Sequence, residues 1–252
     1  MLAILWREIR LHYTKTYWLV ANFITPLFYL VFFGALFSRA INTVVFQGNT
    51  FSYLHFFVPG LIVMQSFLVW SYTLALVNLD RRTRIIEVVV MSSTRIHEYY
   101  YGRLIGTQLL VILKTGVLYF VAAIFFGFSA KTLNAIFVFI ILILLSNCLW
   151  FNIGFILGFL IKNEDIRDIV MQLITLPLTF LSNIYYPTEN LTGILRTMVY
   201  VNPLTHATTA IRTALLAEGK IHVNSIMILG TYAVITTILV FINFRKHQLL
   251  HD

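Results

Sequence analysis

A single lysine, Lys114, sits near the middle of an apolar run from Leu104 to Phe128. An ammonium at the centre of such a run costs about 2.5–3.5 kcal/mol on insertion scales, so protein, water or an anionic group has to compensate it. None of the ten acidic residues lies in the interior of an apolar run, so no intramembrane carboxylate is available as its partner. The same absence speaks against proton or sodium coupling through buried acids. Two readings of Lys114 stand side by side. It lines a route and attracts an anionic group, or it bonds backbone carbonyls and snorkels along its helix. The remaining chemistry-bearing residues form no reactive set. His97-Glu98 begins an H-E-x-x-H pattern, but Tyr101 stands where the second histidine is required. The seven histidines have no metal-ligand spacing, and no metal site is expected. No G-x-x-x-x-G-K-[ST] loop occurs, so no nucleotide binds this chain in the P-loop manner. Cys148 is the sole cysteine and cannot close an intrachain disulfide.

The elements that would position these residues are membrane helices. The chain has 252 residues, 59% of them hydrophobic and 11% charged, more apolar surface than a soluble domain of this length can bury. Six apolar stretches are expected to cross a bilayer, at about 17–37, 57–78, 104–128, 133–160, 168–186 and 225–244. The first is longer than a signal-peptide core and is expected to remain as a membrane helix. With the amino terminus inside, the inner segments carry Arg7, Arg10, Lys15, Arg81, Arg82, Arg84, Arg95, Arg103, Lys162, Arg167, Arg245 and Lys246. The outer ones carry Arg39, Lys131, Arg196, Arg212 and Lys220. That is twelve against five, which places both termini in the cytoplasm. The net charge of +8 then marks cytoplasmic loops and anionic lipid rather than nucleic acid.

The expected architecture is all-α and polytopic, one membrane domain over residues 1–252. Residues 1–16 place Leu2, Leu5, Trp6, Ile9 and Tyr13 at helical spacing with Arg7, Arg10 and Lys15 on the remaining arc, the pattern of an amphipathic interfacial helix. Asn22, Asn147, Asn152 and Asn183 are suited to interhelical hydrogen bonds. Two connections are unusual. The inner loop 79–103, LDRRTRIIEVVVMSSTRIHEYYYGR, carries an apolar run that a solvated loop would avoid. The outer segment 187–224 repeats Leu191, Ile194, Leu195, Met198 and Val199 at helical spacing, breaks at Asn202-Pro203, and turns helical again from Thr205. Two short re-entrant helices at the outer leaflet satisfy this pattern.

Four segments together resemble the ABC-2 family of permeases, closest to its drug and nodulation-factor exporter branch. They are FSYLHFFVPGLIVM (51–64), RIIEVVVMSS in the inner loop, PLTFLSNIYYP (177–187) and VNPLTHATTAIR (201–212). The resemblance implies a transport subunit, not an enzyme, in the cytoplasmic (inner) membrane. It implies a permease dimer, expected as a homodimer in contact with membrane lipid, and two cytoplasmic ATPase subunits that hold ATP and Mg; no cofactor is expected on this chain. It also implies that 79–103 is a coupling loop, with Arg82, Arg84 and Glu87 making polar contacts to the ATPase and Ile86, Val88 and Val89 filling an apolar groove. The family's common Gly-Thr before the acid is Arg84-Ile85 here, and its proline after the short helix is Ser93. Asn202, Pro203 and Arg212 match the outer motif, where Arg212 would anchor the re-entrant segment. The expected substrate is amphipathic: a drug, lipid, glycolipid or saccharide. The alternative is a secondary transporter or channel working alone.

Overall fold

A computed structural model of the protein describes residues 2–14, 16–41, 43–91, 96–130, 132–188, 191–217 and 221–248. In chain order these form α1 (Leu2–Thr14), α2 (Thr16–Ala40), a hairpin of β1 (Thr43–Phe46) and β2 (Asn49–Ser52), α3 (Tyr53–Phe67), α4 (Val69–Arg82), α5 (Ile85–Met91) and α6 (Ile96–Phe126). There follow α7 (Leu133–Leu160), α8 (Glu164–Phe180), α9 (Gly193–Val201), α10 (Pro203–Leu216) and α11 (Val223–Gln248).

Among the described residues, four helical segments are long and apolar enough to cross a bilayer: Tyr53–Arg82 through α3 and α4, His97–Phe126, Leu133–Leu160 and Val223–Asn243. α2 contributes a shorter apolar stretch, Phe23–Gly34, and α8 has 17 residues. The protein is therefore an α-helical polytopic membrane protein. The two short outer helices appear as α9 and α10, meeting at Asn202-Pro203.

Two features depart from the sequence reading. The segment after α2 is not plain loop but a hairpin, in register Thr43↔Ser52 to Phe46↔Asn49. Its two-residue turn places Gln47 (φ 50°) and Gly48 (φ 78°) in the left-handed region, the type I′ requirement. Gln-Gly is a weak turn signal because glutamine rarely adopts that conformation. Second, α6 begins at Ile96 rather than near 104. Tyr99, Tyr100 and Arg103, polar enough to suggest a loop, are buried in its first turns.

α7 is the hub, packed against α4, α6, α10 and α11. Its contact with α4 requires glycine: a Cβ on Gly154 would lie 2.1 Å from the Trp70 carbonyl oxygen, and one on Gly158 would lie 2.6 Å from the Val77 side chain. Spaced four apart on one helical face, they let the two backbones meet, the usual solution where lipid offers no hydrophobic drive for helix association. Hydrogen bonds then fix the orientation. Ser66 Oγ and Ser146 Oγ are 2.8 Å apart. Asn147 donates to Gln108 at 2.8 Å, and Asn152 donates to Thr237 at 2.9 Å while accepting from Tyr100 at 2.7 Å.

Replacing Gly154 by Ala is expected to force α4 from α7 and destabilise the detergent-solubilised protein by about 1–3 kcal/mol, the range for overpacking. Gly116→Ala, where no atom lies within 4 Å, is the control and leaves the melting temperature unchanged or raised. Equal melting temperatures for the two variants would contradict the close-contact account.

Candidate functional site

The inner loop opens at the end of α4 with Arg84, a non-glycine residue at φ 55°. Its N–H donates to the Arg81 carbonyl at 3.1 Å, and its own carbonyl accepts from Val88 N–H at 3.1 Å. Arg84 thus closes one helix and starts the next through a left-handed joint. That conformation costs a residue with a Cβ roughly 1–2 kcal/mol, which explains why glycine suits this position. The joint survives the departure from Gly-Thr, so the register of α5 is set by Arg84. Ser93 and the end of the loop lie outside the described residues.

α5 divides its side chains between two sides. Ile86 and Val89 are half-buried against the chain's own core, while Glu87, Val88 and Met91 face outward, Val88 at 63% and Met91 at 85% exposure. The exposed side of α5 is therefore Glu87, Val88 and Met91, with Arg84 exposed at its base. Arg82 is drawn into an exposed ion pair with Glu164 of α8. Beside it, Arg81 donates to the Phe159 carbonyl at 2.7 Å and to that of Gly158 at 3.3 Å, and Asn78 donates to the Ile161 carbonyl. These donors satisfy the open C-terminus of α7 and tie the α7–α8 corner to the loop. Asn163 caps α8, accepting from Asp165 N–H at 2.7 Å.

Above this loop lies a buried charge cluster that the sequence reading missed. Asp80, at the inner end of α4, is fully buried and accepts from Arg7 of α1 (2.6 and 3.2 Å), from Tyr99 of α6 (2.6 Å) and from Arg103 of α6. Arg103 also pairs with Glu8 of α1, whose other oxygen accepts from Tyr72 of α4 at 2.9 Å. Glu8 and Arg103 are 1% and 2% exposed. Among the described residues, two acids and two arginines balance in this site. Projected on a helical wheel, Glu8 falls outside the arc of Leu2, Leu5, Trp6, Ile9 and Tyr13, so nothing local set it apart from the other charged residues of α1.

The outer end has its own anchor. Arg212 is fully buried; its Nε donates to the Phe56 carbonyl at 3.0 Å and an Nη to that of Asn183 at 3.0 Å. Its guanidinium lies 3.6 Å from the Phe56 ring centroid and 5.3 Å from that of Phe46 on the hairpin. Asn202 caps α10 by accepting from Leu204 N–H at 3.0 Å and donates to the Leu178 and Leu181 carbonyls at the end of α8. Pro203 occupies the first turn of α10, where its missing N–H is harmless. His206 bonds the Tyr200 carbonyl at 2.7 Å, and burial pushes its imidazole below the usual histidine range. Lys114 is half-buried on the α6 face shared with Thr107 and Arg103, remote from both ends. Among the described residues no group of three or more His, Cys, Asp or Glu is placed to hold a metal ion.

A helical membrane bundle with a short helix on its inner loop and two short helices at the opposite end defines the class. The ABC-2 type transporter family matches residues 1–216, and the chain belongs to that family. It is 26% identical over 218 residues to the daunorubicin resistance ABC transporter permease protein DrrB1 of Streptomyces coeruleorubidus, covering 82% of this chain and 72% of that one. It is 25% identical over 230 residues to the inner membrane transport permease YadH of Escherichia coli K12, covering 88% and 82%. It is a permease-type transport subunit.

Arg84→Gly is expected to retain or raise the melting temperature, while Arg84→Val, which resists the left-handed joint, loses about 1–2 kcal/mol. Thermal unfolding followed by tryptophan fluorescence reads both. A Val variant as stable as the parent would contradict the fixed joint.

Proposed function

We propose that this chain is the membrane permease of an ABC exporter in the cytoplasmic (inner) membrane, working as a homodimer with a separate ATPase that carries ATP and Mg. Its six crossings are α2, α3–α4, α6, α7, α8 and α11, with both termini cytoplasmic. The family match over residues 1–216 is the observation that carries this reading. The outward-facing Glu87, Val88 and Met91 on α5 give the ATPase a place to dock, a mixed charged and apolar surface that water alone would not favour.

α8 supports a second copy. Glu164, Asp168, Gln172, Thr175 and Thr179 recur at helical spacing along one side, and only Thr179 of the whole helix is buried. Bilayer hydrocarbon offers the exposed Gln172 amide no hydrogen-bonding partner. Facing a second copy across a water-accessible route gives this stripe partners, while Ile169, Leu173 and Leu176 cover lipid or the partner. The substrate is amphipathic: a drug, lipid, glycolipid or saccharide. The similarity to a daunorubicin resistance permease of Streptomyces coeruleorubidus favours the first. Lys114 lines the route and attracts an anionic part of the substrate or a lipid phosphate.

Reconstitution with and without the partner ATPase tests this directly. Accumulation of daunorubicin or a fluorescent lipid in vesicles is expected only with both proteins and ATP. Lys114→Met is expected to slow anionic lipid by about tenfold relative to neutral lipid. Transport by the chain alone down an ion gradient would favour a secondary transporter, and equal rates for Lys114→Met would remove the lysine's role.

A further inference from the structure

The cluster around Asp80 binds together three helices that the chain could have left independent. α4 and α6 are the two roots of the loop that carries α5, and α1 is otherwise an amphipathic helix on the inner surface. Asp80 holds the roots to each other through Arg103 and Tyr99. Glu8 and Arg7 fasten α1 to both. A second, independent feature shapes the joint. A Cβ on Gly106 would lie 2.5 Å from Glu8 Cγ and 2.9 Å from its Cβ, so α6 is hollowed at the place where the glutamate enters. A surface helix that only floated on lipid would need neither the notch nor a carboxylate sealed at 1% exposure.

Sealed ion pairs are a poor way to gain stability, since the desolvation of both charges offsets their attraction. They are a good way to fix geometry, because a partner moved out of place leaves a charge buried alone. Alternate arrangements of the three helices are thereby excluded as long as all four charges remain matched.

We propose that Arg7, Glu8, Asp80 and Arg103 form the joint that turns displacement of α5 into movement of the membrane helices, with α1 carried along as part of the moving unit. They are positioning residues: none touches substrate or nucleotide. A push on Glu87, Val88 and Met91 reaches the α4 and α6 roots, which the joint compels to move together with α1. With the joint loosened, α5 swings on the Arg84 elbow and the stroke is dissipated. The inference rests on the permease reading above, because it needs a partner that pushes.

The test uses the complete complex with its ATPase and needs no knowledge of the substrate. A nitroxide is placed on the exposed hairpin of each copy through Asn49→Cys in a Cys148→Ser background. The inter-label distance is measured by pulsed electron resonance before and after trapping with ATP and vanadate, and ATP hydrolysis is measured alongside. The parent is expected to shift. In Arg7→Gln and Glu8→Gln the complex is expected to hydrolyse ATP within about threefold of the parent, while the shift falls to less than about half. A purely structural role would not separate these two readouts. Arg7→Gln is the milder variant, because Asp80 keeps Arg103 and Tyr99, and it decides the matter if Glu8→Gln does not accumulate. A parent-sized shift in Arg7→Gln overturns the proposal. Proportional loss of hydrolysis and shift also overturns it, for the cluster then serves assembly rather than transmission. A parent that shows no nucleotide-dependent shift removes the permease reading and this inference together, whereas a shifting parent with equally shifting variants removes this inference alone.

Discussion

Asp80 is a carboxylate with no access to water, and the inner half of the molecule is arranged around that constraint. Its oxygens accept from an arginine on α1, an arginine on α6 and a tyrosine on α6. Removing Arg103 leaves two buried anions short of their sealed donor, a penalty of about 3–5 kcal/mol. α1 must therefore sit against α6, Gly106 must lack a side chain, and the inner ends of α4 and α6 must stay together. With these ends held, α5 presents a definite face. Just beneath, Asn78 and Arg81 close the end of α7, so the second inner corner is held to the same α4 turn.

The outer end solves the opposite problem with the opposite charge. Among the described residues no carboxylate meets Arg212; backbone carbonyls and two aromatic rings surround it. A planar guanidinium holds its donors in a fixed fork, so it can meet two carbonyls from separate elements while its face packs on the rings. It joins α10 to α3 and to the segment after α8, while Asn202 makes a parallel link from the start of α10 to the end of α8. Gly60 allows the same segment to approach α3, since a Cβ there would lie 2.7 Å from the Ile184 carbonyl oxygen. The Gly154–Gly158 seam continues the inner anchor along α4 and α7, and between the two anchored ends the bundle is held by a few amide and hydroxyl contacts. Rigid ends and a plain helical middle suit a body that moves as a unit.

Much of this was legible in the sequence. Four of the six apolar runs correspond, among the described residues, to helices long and apolar enough to cross a bilayer, and Asn202-Pro203 marked the turn between α9 and α10 because asparagine caps and proline starts a helix. Asn147 and Asn152 stood out as amides with no solvent and do bond across helices. The charge cluster was harder to find because its bonded partners are separated by up to 95 positions and each looks ordinary in its own segment. Arg7 and Arg103 counted as inner-surface charge, and tyrosines near a membrane end suggest interface anchors. Glu8 falls on the charged side of the α1 wheel and looked like an ordinary surface acid. The hairpin was missed because a Gln-Gly turn between short strands carries little signal, and its stability comes from the contact of Phe46 with Phe56 and Arg212.

The central claim is mechanical: α5 faces the cytoplasm and receives force there. Labelling Val88→Cys in a Cys148→Ser background with a membrane-impermeant maleimide tests it most directly, with Asn49→Cys as the outer reference. The account predicts that Asn49→Cys labels in intact cells while Val88→Cys labels only in inside-out vesicles, where bound ATPase protects it. Labelling of Val88→Cys from outside intact cells, with Asn49→Cys silent, would contradict it.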